Sequence, residues 1–128
     1  MGAMILGLGM DVVEVARIAA SLENLGEAFL AKVLLPEETA YCRTHREPAP
    51  FVAVRFAAKE AVAKAFGTGI GAELSWHDME IRRKESGEPH VVLHGRGQAL
   101  LTARRARTLH LTLTHTAQSA AATAILEG

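Results

Sequence analysis

The chain has 128 residues, 49% hydrophobic and 22% charged, which suits one domain with a modest core and excludes a disordered chain. Its 14 basic and 14 acidic residues balance, so no global charge points to nucleic acid or an anionic membrane as the partner. Cys42 is the single cysteine, which rules out an internal disulfide framework or a cysteine-based zinc site and fits a reducing, cytoplasmic setting.

No apolar run approaches the roughly 20 residues needed to cross a bilayer, and the N-terminus lacks the charged head and long apolar segment of a signal peptide. Met1-Gly2-Ala3 read as leftover residues ahead of a native start at Met4, with the domain over 4–128. Alternation through MILGLGMDVV (4–13) predicts a strand. Met4, Leu6, Leu8, Met10 and Val12 take one face; Ile5, Gly7, Gly9, Asp11 and Val13 take the other. The glycines thin the Asp11 face, as expected where a ligand or another backbone comes close. A helix follows, with Val15, Ile18, Ala19 and Leu22 at helical spacing and Gly26 at its end. Residues 27–45 read as two short helices broken at Pro36, with Glu37 and Glu38 in the first turn of the second, where the helix dipole favours them.

After a loop over 46–50, a helix is predicted from about Phe51 to Phe66, with Pro50 suited to its first turn and Gly67 to its C-terminal cap. Residues 74–95 read as two strands joined by a turn at Ser86-Gly87-Glu88-Pro89. Residues 96–106 read as a basic helix and 109–116 alternate as a strand. Residues 119–128 close the chain as a strand or a helix, alanine favouring helix and the place beside a strand favouring the hairpin arm adopted here. With no repeats or linkers, this predicts one α+β domain.

The helix RFAAKEAVAKAF (55–66) poses the main question, because Arg55, Lys59, Glu60 and Lys64 are set among alanines, phenylalanines and a valine. Glu60 and Lys64 are four apart and share a face; on a solvated stripe they would be an ordinary ion pair. Arg55 is offset but within reach of the same end, and Lys59 points about 100° away from Glu60 with no role assigned. So apolar a setting leaves little room for solvated charge, and a charge held dry is costly unless it is paired or binds something.

Asp11 has two readings. With Glu14 it resembles a capping box for the helix that follows; with Glu60 it could hold a hard cation such as magnesium, which takes few protein carboxylates and completes its shell with water and phosphate. GTGIG (67–71) follows a helix instead of preceding one, so it reads as a helix cap and not as a dinucleotide fingerprint. His115 shares a strand face with Leu111 and Leu113, the usual setting of a core or interface histidine, and the other histidines show no metal-ligand spacing. Trp76 and few other aromatics offer no stacking platform for nucleic acid.

GLGMDVVEVARI (7–18), RFAAKEAVAKAFGTGI (55–70), WHDMEI (76–81), SGEPHVVLHG (86–95) and LTLTHT (111–116) together resemble the holo-acyl-carrier-protein synthase family, the short bacterial 4'-phosphopantetheinyl transferases. Order and spacing match from Met4 over nearly the whole chain. The resemblance implies transfer of 4'-phosphopantetheine from coenzyme A to a serine of apo acyl carrier protein, releasing adenosine 3',5'-bisphosphate. It implies dependence on magnesium and a homotrimer with coenzyme A between neighbouring subunits.

By the same resemblance, Asp11 and Glu60 match the magnesium ligands and Lys64 the lysine near the pyrophosphate. His115 and Thr116 match a pair that contacts coenzyme A from the adjoining subunit. Arg55, Gly87 and Pro89 match positions near the nucleotide, and Arg17 a basic position on the helix that docks the carrier. Glu60, or a metal-bound water polarised by Asp11 and Glu60, is the candidate base; Glu38 is a further acidic candidate. Two departures stand out. Glu88 occupies the turn where many relatives place a lysine, and Arg17 is the single basic residue of a first helix flanked by Glu14, Glu23 and Glu27; the run Arg82, Arg83, Lys84 of another subunit could supplement it. The Asp11–Glu60 pair would equally suit a magnesium-dependent phosphohydrolase acting on coenzyme A or a nucleotide. A non-catalytic oligomeric binding module would show no magnesium dependence.

Overall fold

The structure, a computed structural model, describes Gly2–Gly128. Gly2 and Ala3 are exposed and lie outside any element, and Met1 falls outside the described residues. Five strands and five helices follow: β1 Ile5–Glu14, α1 Val15–Leu25, α2 Glu27–Val33, α3 Pro36–Arg43, α4 Ala49–Phe66, β2 Met79–Arg83, β3 Pro89–Leu93, α5 Arg96–Ala103, β4 Thr108–His115 and β5 Ser119–Glu127. The strands form two antiparallel sheets, a three-stranded one in the order β1-β5-β4 and the β2-β3 ribbon. The α+β expectation therefore holds.

The C-terminal segment is a strand despite its alanines, because it lies between β1 and β4 and is bonded to both. Ala120, Ala122, Ala124 and Leu126 alternate inward and are buried, which leaves room for α4 against the sheet. Strand ladders on both sides satisfy the backbone here, and that tertiary gain outweighs alanine's helix preference. α4 is the core element, buried on nearly every side, with Val52, Ala53, Ala57, Ala58, Ala61 and Val62 closed to solvent.

Some boundaries depart from expectation. β1 runs on to Glu14, and Glu14 precedes α1 without a side-chain cap. Asp11 is thus a strand residue paired with Ala122, and the capping-box reading is wrong. Trp76–Asp78 form a single 3-10 turn before β2, where the sequence predicted strand from residue 74. α4 begins two residues early, and Gly67 caps it in the left-handed conformation at φ 79°. A bulge between Ile5 and Gly7 turns Leu6 inward, away from the outer face of Leu8, Met10 and Val12.

Candidate active site

The site begins with two missing side chains. A Cβ on Gly7 would lie 1.9 Å from the Ala65 carbonyl oxygen, and one on Gly9 would lie 1.8 Å from that of Ala61. The cleared space on β1 is therefore filled by the backbone of α4 and not by a ligand. Ala61 and Ala65 add no bulk of their own, so helix and strand touch backbone to backbone. The next residue on that strand face is Asp11, and the contact brings Glu60 and Lys64 beside it.

Lys64 turns back along the helix, as helical side chains do. Its Nζ donates to the Met10 carbonyl at 2.9 Å and to Asp11 Oδ1 at 3.1 Å. The ion pair is thus Lys64–Asp11 across two elements, in place of the i,i+4 pair with Glu60. Glu60 is half-buried. Burial, and secondarily the Asp11 carboxylate, push its pKa above the usual glutamate value, while Lys64 and Arg17 pull it down. Arg17 lies on the rim with its guanidinium over the Phe56 ring.

These groups fit a hard cation. A carboxylate oxygen and a backbone carbonyl already converge on one positive charge, the Lys64 ammonium, and Glu60 is a second carboxylate that the first repels. Among the described residues no three His, Cys, Asp or Glu side chains converge on a metal position. A metal held by Asp11 and Glu60 would take the rest of its shell from water and phosphate, as magnesium commonly does.

The remaining candidates lie elsewhere. Arg55 stands about 140° round the helix from Glu60 and opposite Lys64. It is 3% exposed, with its guanidinium 4.5 Å from the Tyr41 ring centre and its Nε without a partner. The expectation that it reaches the Glu60–Lys64 end is overturned by this turn of the helix. Arg55 lines a cleft with Glu37, Tyr41, Arg82 and Arg83. Gly87 stands at the β2–β3 turn at φ 89°, where its carbonyl accepts from Arg83, and Pro89 opens β3. Glu88 pairs with Lys84 across the same turn at 3.4 Å.

His115 ends β4 at the other edge of the sheet, and Thr116 follows it. His115 is exposed, its ring edge-on to Phe51, and an open cavity of about 530 Å³ lies between these residues, His45 and Arg46. The Thr116 hydroxyl accepts the amides of Gln118 and Ser119 and so shapes the β4–β5 turn. The chain thus carries an Asp11–Glu60–Lys64 cluster at the β1 edge and a His115–Thr116 pair at the β4 edge.

Residues 7–124 match the profile of the 4'-phosphopantetheinyl transferase superfamily. The chain belongs to that superfamily. A holo-[acyl-carrier-protein] synthase of Koribacter versatilis is 44% identical over 124 residues, 97% of this chain and 99% of the relative. The crystal structure of the Neisseria meningitidis holo-[acyl-carrier-protein] synthase superposes with a TM-score of 0.90 at 31% identity, over 96% of this chain and 98% of that one. A Bacillus anthracis holo-(acyl-carrier-protein) synthase, solved in complex with coenzyme A (3',5'-ADP), gives 0.82 at 34% identity over 97% of both chains.

Within this transferase domain two charges have a role that sequence reasoning missed. Lys59 is fully buried and donates to Glu38 Oε1 at 2.7 Å, to the Val33 carbonyl at 2.7 Å and to that of Trp76 at 3.2 Å. Glu38 also accepts the amides of Leu35 and Ile81. Burial pushes Lys59 below the ordinary lysine pKa against the pull of Glu38. Glu38, 2% exposed, is committed to Lys59 and two backbone amides as part of the core, so it is withdrawn as a further acidic candidate. The dry charges of α4 are therefore Arg55 and Lys59, whereas Glu60 and Lys64 reach solvent. The signal was present in the sequence: a lysine 100° from the Glu60 face of so apolar a helix points inward and needs an acid.

Proposed function

We propose that this chain transfers 4'-phosphopantetheine from coenzyme A to a serine of apo acyl carrier protein, in the cytoplasm, as a magnesium-dependent homotrimer. The observation that carries the reading is the backbone contact of α4 with β1, which sets Asp11, Glu60 and Lys64 beside one another where they reach solvent. The family and the named relatives supply the reaction.

Asp11 and Glu60 would hold the magnesium, which supplies positive charge to the pyrophosphate oxygens when bound. The serine Oγ attacks the β-phosphorus and forms the new P–O bond. The bond from phosphorus to the bridging oxygen breaks, and adenosine 3',5'-bisphosphate leaves with the electron pair. Lys64 stabilises the charge that develops on those oxygens. The serine proton goes to Glu60, or to a water polarised by Asp11 and Glu60. Arg17, on the rim beside Glu60, is placed to meet the acidic carrier.

The trimer reading is supported by the outer face of β1. Leu8, Met10 and Val12 are 60–65% exposed in a row, beside the outward residues of β5. A contiguous apolar strip of this kind is what another copy covers. His115, Thr116, Arg55, Gly87 and Pro89 would then form the nucleotide half of a site completed by the Asp11–Glu60–Lys64 cluster of a neighbour.

The test is the mass of apo carrier protein after incubation with coenzyme A and magnesium. The reading expects a gain of one phosphopantetheine, lost when magnesium is omitted and lost with Glu60→Ala at unchanged far-UV circular dichroism. Phosphate release from coenzyme A without carrier would instead support a phosphohydrolase. Labelling at the wild-type rate by Glu60→Ala would overturn the assignment of Glu60.

A further inference from the structure

Lys64 shares a helix face with Glu60, yet its ammonium is bonded to Asp11 Oδ1 at 3.1 Å and to the Met10 carbonyl at 2.9 Å. Asp11 Oδ1 is an oxygen through which a hard cation would bind, so a cation already occupies one arm of the cradle. The Lys64 side chain is 50% exposed, whereas that of Asp11 is 17% exposed. The lysine is thus the mobile partner, free to swing on its four-carbon stem, while the carboxylate stays in place.

The geometry points to Lys64 as a resident counter-ion of the metal cradle, one that must release Asp11 before a divalent cation binds and that a phosphate group draws away. The inference rests on the magnesium-dependent transferase reading of the same site. An ammonium and a divalent cation cannot both take Asp11 Oδ1 at bonding distance without strong repulsion. In the free protein, Lys64 therefore competes with the metal. The pyrophosphate of coenzyme A offers Lys64 another anion, so coenzyme and metal bind synergistically, and part of that synergy is the relocation of one lysine. Arg17 is the natural comparison: its charge also acts on Glu60, but its guanidinium rests over Phe56.

A half-exposed ion pair of this kind corresponds to about fivefold in competing affinity. The experiment is a manganese(II) titration followed by electron paramagnetic resonance, on wild type, Lys64→Met, Arg17→Gln and Asp11→Asn, without and with coenzyme A. Lys64→Met is expected to bind manganese about fivefold tighter than wild type without coenzyme, and Arg17→Gln to change it by less than about twofold. Coenzyme A is expected to tighten manganese binding more in wild type than in Lys64→Met. Lys64 is an exposed helix position, so both Lys64→Met and Lys64→Gln should melt with wild type, and the second repeats the first if one misfolds.

Unchanged or weaker manganese binding by both Lys64 variants would overturn the inference. So would an equal gain from Arg17→Gln, because general charge and not occupancy of the cradle would then be the cause. Both of those failures leave an Asp11-dependent metal site intact. Manganese binding as tight in Asp11→Asn as in wild type, or absent in every variant, would instead bring down the metal-site reading itself and the inference with it.

Discussion

Gly9→Ala tests whether the approach of α4 to β1 builds the site. The added Cβ would lie 1.8 Å from the Ala61 carbonyl oxygen and 2.7 Å from the Ala65 amide nitrogen, where real Cβ contacts below 3.0 Å are essentially unknown. Both atoms belong to helix backbone, so no side chain can rotate away. Either α4 retreats from the strand by about 1.2 Å or β1 bends by as much, given the 1.8 Å separation and the 3.0 Å limit. Overpacking of this kind costs about 1–3 kcal/mol, which in a domain of this size lowers Tm by roughly 5–10 °C.

The effect on activity should exceed the effect on folding, because a misplacement of about 1 Å in a reacting constellation costs on the order of 100-fold. The assay is single-turnover transfer to apo carrier, at a temperature where circular dichroism shows the variant folded. Gly71→Ala, with open space around its Cβ position, is the control and should behave as wild type. A Gly9→Ala protein that melts within a degree or two of wild type, and transfers at its rate, would refute the argument that this contact positions Asp11 against Glu60 and Lys64.

Three further outcomes are expected. Lys59→Met leaves Glu38 buried without its ammonium partner, at a cost of about 3–5 kcal/mol; adding Glu38→Gln should recover part of the lost Tm, and no loss in Lys59→Met would show the pair to be dispensable. The raised pKa of Glu60 means that its ionised form is disfavoured in the metal-free fold. Its contribution to stability is complete below the unfolded value and is lost as pH rises through the folded one. Glu60→Gln should therefore gain Tm over wild type in metal-free buffer across that window and hold the gain at higher pH; a pH-independent Tm difference would contradict this. Finally, Met10→Lys places a charge in the outer face of β1, where Met10 is 60% exposed. On the proposed trimer, sedimentation should show a smaller species than wild type, with transfer lost and circular dichroism unchanged; a wild type that already sediments as a monomer would refute the trimer.

Alternation and helical spacing sufficed to locate β1, α4 and β4, because those periods are local properties of the backbone; β5, whose alanines favour helix, was placed only by its position beside β4. The family resemblance singled out Asp11, Glu60 and Lys64 before any fold was known; spacing alone put only Glu60 and Lys64 on one face. Partnerships between distant elements were beyond such reasoning. Lys64 meets Asp11 across 53 residues and Lys59 meets Glu38 across 21. Periodicity says which residues share a face but not what packs against it, so it could not separate the buried Arg55 and Lys59 from Glu60 and Lys64, which reach solvent. Gly7 and Gly9 show the same division. Their lack of side chains is written in the sequence, but only the tertiary structure decides that a helix backbone fills the space, and that contact is what sets a carboxylate, a glutamate and a lysine around one another.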